Sequence, residues 1–185
     1  MSSAASSVQW NGDMSERSSD SIKVGITQKF KDTCNALSQA SKELSVLSVE
    51  CDATAILRSM MEGKEVKEVA AALRVLRHFD PKQILELLPL IYGLTEVSVH
   101  YYDALRVMAM VPAKKLRRAL IPLVFERLLD PDNNYDYYSW RLTVSILQYC
   151  GFDEEAQQVA VLALASDDPE VREVGAELIA ELASR

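Results

Sequence analysis

The sequence predicts an all-α protein: a short α-solenoid of about four helical hairpins, preceded by one amphipathic helix. Three observations predict it. Apolar residues recur at three- and four-residue spacing along most of the 185-residue chain, and no segment sustains the alternation of a strand. Turn signals return regularly, leaving helical segments of about 12 to 17 residues between them. One short pattern, "ALRV", stands at 72–75 and again at 104–107.

The elements follow in chain order. Residues 1–21 are rich in serine and poor in large apolar groups, so they are expected to form a disordered tail that cannot offset the entropy of ordering. Trp10 is the exception in it; an isolated tryptophan in a polar tail can dock a partner, but it is expected to pack weakly or not at all. Residues 22–49 carry Ile26, Phe30, Cys34, Leu37, Leu44 and Leu47 at helical spacing, with polar residues opposite. This is an amphipathic helix whose stripe needs a partner, expected in the first helices of the main body.

From 50 to 185 the chain reads as paired helices, about 50–79, 82–111, 114–150 and 154–183. Asp80–Pro81 and Asp168–Pro169 are helix starts, because aspartate caps exposed amides and proline fits the first turn. Gly63 and Gly151 stand where a helix would end in a left-handed residue. "LLPLIYGL" (87–94) aligns with "LIPLVFER" (120–127), at a spacing of 32 to 33 residues between copies. Anchoring on Leu73, Leu105, Leu142 and Leu178 draws one helix face four times. Four residues earlier lie Val69, Tyr101, Tyr138 and Val174; seven earlier lie Val66, Ser98, Tyr135 and Val171. That register makes Tyr138 and Tyr135 core residues. It leaves Tyr102, Tyr137 and Trp140 off the stripe. Gly175, inside the last helix, implies a close helix crossing.

A helix that cannot bury its stripe alone and stacks on a copy of itself defines a helical repeat. "LIPLVFERLLDPD" (120–132) and "ALASDDPEVREVGAELIAEL" (163–182) resemble HEAT repeats. The first has proline inside its helix. The second has an Asp-Pro turn, the Val171–Arg172 pair and small residues at Gly175 and Ala176. The resemblance covers about residues 50–185. It implies a solenoid with an extended binding surface and leaves the activity open. HEAT-type metal hydroxylases use paired His-Glu dipeptides, which this chain lacks. HEAT-like DNA glycosylases use a basic concave face, whereas this chain has a net charge of −7.

That charge argues against a nucleic-acid or anionic-membrane binder, since both repel it at long range. Cys34, Cys51 and Cys150 are odd in number and widely spaced, a pattern for neither disulfides nor a metal site, and it points to a reducing, cytoplasmic setting. The N-terminal stretch has no apolar region of a secretory signal, and no run is long enough to span a membrane.

Catalytic signatures are missing. His78 and His100 lack a spaced partner, and no phosphate-loop or nucleophile-elbow pattern occurs. Asp167–Asp168 and Glu154–Glu155 fall at helix starts, where capping and the helix dipole account for them. Cys150 precedes Gly151 at a helix end, where the dipole disfavours a thiolate, and is expected to be a buried apolar thiol. No catalytic residue, metal or cofactor is expected.

Two groups point to binding. Tyr102, Tyr137 and Trp140 form a candidate partner-binding patch, since exposed tyrosine and tryptophan favour interfaces. Lys114, Lys115, Arg117 and Arg118 stand at a helix start, where cations are disfavoured. They form a candidate anion or acidic-partner site, with Arg74, Arg77 and Lys82 as possible additions from the neighbouring unit. The expected function is a non-enzymatic protein-interaction module of scaffold, adaptor or inhibitor type. The alternative is a nucleic-acid or phosphate binder working through Lys114 to Arg118.

Overall fold

The computed structural model describes residues 14–184, apart from 64, 131, 132 and 134; for 14–25, 45 and 48–50 it gives the backbone course alone. All regular structure among the described residues is helical, ten α-helices and one short 3-10 turn. The chain divides into two units, 1–51 and 52–185, each described by itself.

The first unit is one long helix, α1 (Met14–Glu50). It takes in 14–21, which the serine content had assigned to the tail. The sequence Asp13-Met-Ser-Glu16 has the spacing of a capping box, a start signal that the serines obscured. Trp10 lies outside the described residues. Ile26, Phe30, Leu37 and Leu47 are all more than half exposed.

Among the described residues, the second unit holds the other nine α-helices and the 3-10 turn. α2 (Ala53–Glu62) packs on α3 (Val66–Leu76). Two short helices follow, α4 (Pro81–Glu86) and α5 (Leu88–Gly93), then the 3-10 turn Leu94–Glu96, then α6 (Tyr101–Met108). After α7 (Ala113–Leu129) come α8 (Tyr137–Tyr149), α9 (Asp153–Leu164) and α10 (Pro169–Ala183), with α9 packed on both α8 and α10. The aligned prolines behave differently. Pro89 opens α5 and separates it from α4, while Pro122 sits inside an unbroken α7. A proline removes one amide donor and crowds the carbonyl four residues back. The longer α7 absorbs that loss.

The starts have identifiable caps. Asp52 accepts from the Ala55 amide at 3.0 Å, Asp136 from Ser139 at 2.9 Å and Asp168 from Glu170 at 2.8 Å. At α4 the Gln83 side chain accepts from the Asp80 amide at 3.3 Å, half of a capping box. Gly151 is left-handed, φ 74°, and ends α8. Its amide donates to Gln148 at 2.9 Å and that of Phe152 to Leu147 at 2.9 Å, which is Schellman closure. Gly63 is not left-handed: its φ and ψ are −66° and 159°, extended backbone.

Buried residues form one core from Leu57 in α2 to Leu178 in α10. α3 packs on α6, and α8 on α10. The expected face is the buried one in α3 (Val69, Leu73, Leu76), in α6 (Leu105, Met108) and in α10 (Val171, Val174, Leu178). Val66 is the exception at its end, exposed in the first turn of α3.

In α8 the expected register is wrong. Its buried residues are Trp140, Thr143, Val144 and Leu147, with Ile146 beside them, while Tyr138 is 76% exposed and Leu142 and Tyr135 are half-buried. The pattern i, i+3, i+4, i+7 matches Val69, Ala72, Leu73 and Leu76 in α3 when Val144, not Leu142, stands for Leu73. A shift of two residues turns a helix by about 200°. That turn puts Trp140 inside and Tyr138 outside. The lengthened turn before α8 removes the spacing that would have shown it.

Gly175 occupies the same place in α10. A Cβ there would lie 2.2 Å from the Leu164 amide nitrogen and 2.6 Å from its Cα, so α9 and α10 cross in backbone contact.

Candidate functional site

The aromatic patch does not assemble. Trp140 is 9% exposed and belongs to the core. Tyr137 is half-buried and committed to the α8–α10 packing. Its hydroxyl donates to Glu177 Oε2 at 2.9 Å and accepts from Arg141 Nε at 2.8 Å. Arg141 also donates to Glu177 at 2.6 Å and to Glu181 at 2.8 Å, and its guanidinium lies 5.3 Å from the Tyr137 ring centre. The Glu181 and Glu177 hydrogen bonds hold Arg141 protonated well above its usual range. Arg141, then Tyr137, in turn holds the Glu177 carboxyl below its usual range. Of the three aromatics, Tyr102 alone is exposed, edge-on to Tyr101 at 5.0 Å.

The basic cluster is built differently. Lys114 and Arg118 lie one turn apart on α7 and face the same side. They line an open groove of about 640 Å³, floored by Ile121, Pro122 and Phe152. The Schellman turn at Gly151 delivers Phe152 to this floor, where it is buried at the head of α9. A second hollow of about 640 Å³ lies along the same two helices, between Phe125 and Val161 and Leu162. Val161 is half exposed there.

Arg117 does not share the role of its neighbours. Its Nε donates to Glu155 Oε1 at 2.6 Å and its Nη2 to Glu154 Oε2 at 2.8 Å. The Glu155 hydrogen bond, then that of Glu154, raises the guanidinium pKa. Glu155 is 8% exposed, and its Oε2 is buried with no hydrogen-bond partner among the described residues. Glu154–Glu155 therefore do more than start α9: they neutralise Arg117 and tie α7 to α9. Lys114, Lys115 and Arg118 have no ion-pair partner among the described residues. Lys115 is exposed and does not line the groove. Arg74, Arg77 and Lys82 do not line it either: the two arginines pair with Asp103, and Lys82 with Glu86 at 4.0 Å.

The groove and hollow thus set an unneutralised basic head beside a mixed lining, apolar at Ile121, Phe125, Val161 and Leu162 and polar at Glu154, Gln157 and Gln158. The "KKLRR" and "DEE" runs could have been paired by charge from the sequence. Phe152 and Pro122 could not, because their exposure depends on how two helices lie together.

Burial pushes the Cys150 thiol up to about 11, so it stays protonated at neutral pH. His78 is exposed, and His100 is buried with Nδ1 lacking a hydrogen-bond partner among the described residues. No group of three His, Cys, Asp or Glu side chains among the described residues is placed to hold a metal ion. No helix among them is long and apolar enough to cross a membrane. Comparison with protein-family models, curated proteins and solved structures finds no match.

Proposed function

We propose that this chain is a non-enzymatic protein-interaction module, a short HEAT-like solenoid that docks an acidic, amphipathic peptide segment of a partner along α7 and α9. One observation carries the reading. Lys114 and Arg118 are unneutralised beside an apolar floor, while Arg117 between them is fully paired. A peptide carboxylate would satisfy the basic head, and its apolar side chains would cover Ile121, Pro122 and the Phe125–Val161 hollow.

The solenoid reading is supported by the packing of α3 on α6 and of α8 on α10, and by the four-position buried stripe shared by α3, α8 and α10. A reducing, cytoplasmic setting is supported by Cys34 and Cys51, both exposed thiols. Tyr102 extends the exposed surface at a distance from the groove and is not needed for the docking.

The test is fluorescence anisotropy with a labelled peptide that alternates Asp/Glu with Leu/Phe, against its basic counterpart and a labelled single-stranded oligonucleotide. The acidic peptide should bind, and Lys114→Glu with Arg118→Glu should weaken it by roughly tenfold or more at an unchanged melting temperature. Absence of binding, or binding indifferent to the two reversals, would overturn the reading. Preference for the oligonucleotide, with a steep salt dependence, would replace it by the nucleic-acid alternative.

A further inference from the structure

We infer that α1 is a self-association helix: two copies of the chain pair through it antiparallel, with Lys29 of each copy against Glu43 of the other. The inference is independent of the groove on α7 and α9.

It starts from the stability of α1 itself. A lone helix of moderate propensity, rich in serine, is marginal in water unless an apolar face is buried. In α1 that face is Ile26, Phe30, Thr33, Leu37, Ala40, Leu44 and Leu47. The spacing is four, three, four, three, four, three. This is the 3.5-residue period of a coiled-coil seam, closer than the 3.6 of a helix lying on a globular core. Ile26, Phe30, Leu37 and Leu47 are exposed and Leu44 is half-buried, so most of the seam is open. Thr33 is compatible with it, because its hydroxyl is satisfied by the Lys29 carbonyl at 2.8 Å, leaving its methyl for packing. The rest of the helix surface is polar and internally bonded, with Gln28 donating to Asp32 at 2.9 Å opposite the seam and Gln39 to Glu43 at 3.0 Å on its flank.

A second copy of α1 is the occupant that its own side chains complement. In the antiparallel arrangement, seam layers pair Ile26 with the second copy's Leu44, Phe30 with its Ala40 and Thr33 with its Leu37. The largest seam residue meets the smallest in every copy of that layer. In a parallel, in-register pair Phe30 would meet Phe30 and Ala40 would meet Ala40, leaving one layer crowded and another hollow. Charge agrees with size. Lys29 and Glu43 flank the seam, and in the antiparallel register each faces the other across the pair, twice by symmetry. Lys29 has no ion-pair partner among the described residues. Within one helix Lys29 and Glu43 are about 21 Å apart, too far to pair. A parallel pair would bring Lys29 toward Cys34 and Glu43 toward Ser48, with no charge gained.

The test is sedimentation equilibrium of the full chain across the micromolar range. The wild type should be dimeric. Leu37→Glu should be monomeric, with the thermal transition of the second unit unchanged. Lys29→Glu should weaken the dimer by roughly tenfold, since two attractive contacts become repulsive, and Glu43→Lys should do the same. The double reversal Lys29→Glu with Glu43→Lys should restore wild-type dimerisation. A monomeric wild type overturns the proposal, as does a dimer insensitive to Leu37→Glu. A double variant as weak as the singles overturns the antiparallel register.

Discussion

Gly175 faces the backbone of Leu164 so closely that an added Cβ would stand 2.2 Å from the Leu164 amide nitrogen. Elsewhere in a helix, glycine to alanine stabilises by about 1 kcal/mol through propensity. Here the sign reverses, because backbone on α9 cannot step aside as a side chain could. Gly175→Ala should destabilise the protein by about 3 kcal/mol, lowering the melting temperature by on the order of 10 °C. Circular dichroism at 222 nm measures it. A stabilised variant would mean that α9 and α10 do not cross here.

Trp140 and Tyr138 make a paired prediction about the register of α8. Trp140 is 9% exposed and Tyr138 is 76% exposed. Trp140→Ala should cost about 3 kcal/mol or more, the loss of a large buried ring. Tyr138→Ser should stay within about 0.5 kcal/mol of wild type. Urea midpoints compare the two. Equal losses, or the reverse order, would restore the register that the leucine anchors imply.

How much could be read from the sequence follows from what each feature depends on. Helix starts at Asp80–Pro81 and Asp168–Pro169 are local chemistry, and the chain folds as those pairs dictate. The all-helical class was legible because helical spacing runs along most of the chain. The face of α8 was not, since a period-3.6 pattern holding Tyr135, Tyr138, Trp140 and Leu142 fits two registers equally. Only contact with α10, through Arg141 and Glu177, selects between them. The same limit explains the site. The unusual placement of Lys114 and Arg118 showed in the sequence, whereas the pairing of Arg117 with Glu155 joins α7 to α9.

Asp136 begins α8, accepting from both the Ser139 side chain at 2.7 Å and its amide at 2.9 Å. Those bonds, the side chain's first, lower its carboxyl below the ordinary value of 3.8. A lowered folded-state value means stability that is present above the unfolded value and lost as pH falls through the folded one. Asp136→Ala should therefore cost about 1 kcal/mol at neutral pH. The deficit should shrink as the pH is taken below about 4, where the wild-type carboxylate also protonates. Urea unfolding at neutral and acid pH checks this. A deficit independent of pH would show that the carboxylate's charge plays no part in the cap.

Tyr92 gives the opposite limb. It is 2% exposed, and burial pushes its hydroxyl up to about 12, with the nearby Thr143 side chain opposing the shift. A raised folded-state value favours the neutral phenol in the fold. Its contribution is complete below the unfolded value of 10.0 and is lost as pH rises toward 12. Over that window the loss is roughly 2 to 3 kcal/mol. Cys150 and Tyr101 shift the same way, so the wild type alone cannot isolate one residue. The difference between wild type and Tyr92→Phe does. Phenylalanine keeps the ring under Arg127, whose guanidinium lies 5.0 Å from its centre, and removes the titration. At neutral pH the variant should stay within about 1 kcal/mol of wild type, since the buried ring is kept. As pH rises above 10 the balance should move in the variant's favour. Urea unfolding followed by tryptophan fluorescence at stepped alkaline pH reads the change, and parallel curves would show that Tyr92 ionises as readily in the folded chain as in the unfolded one.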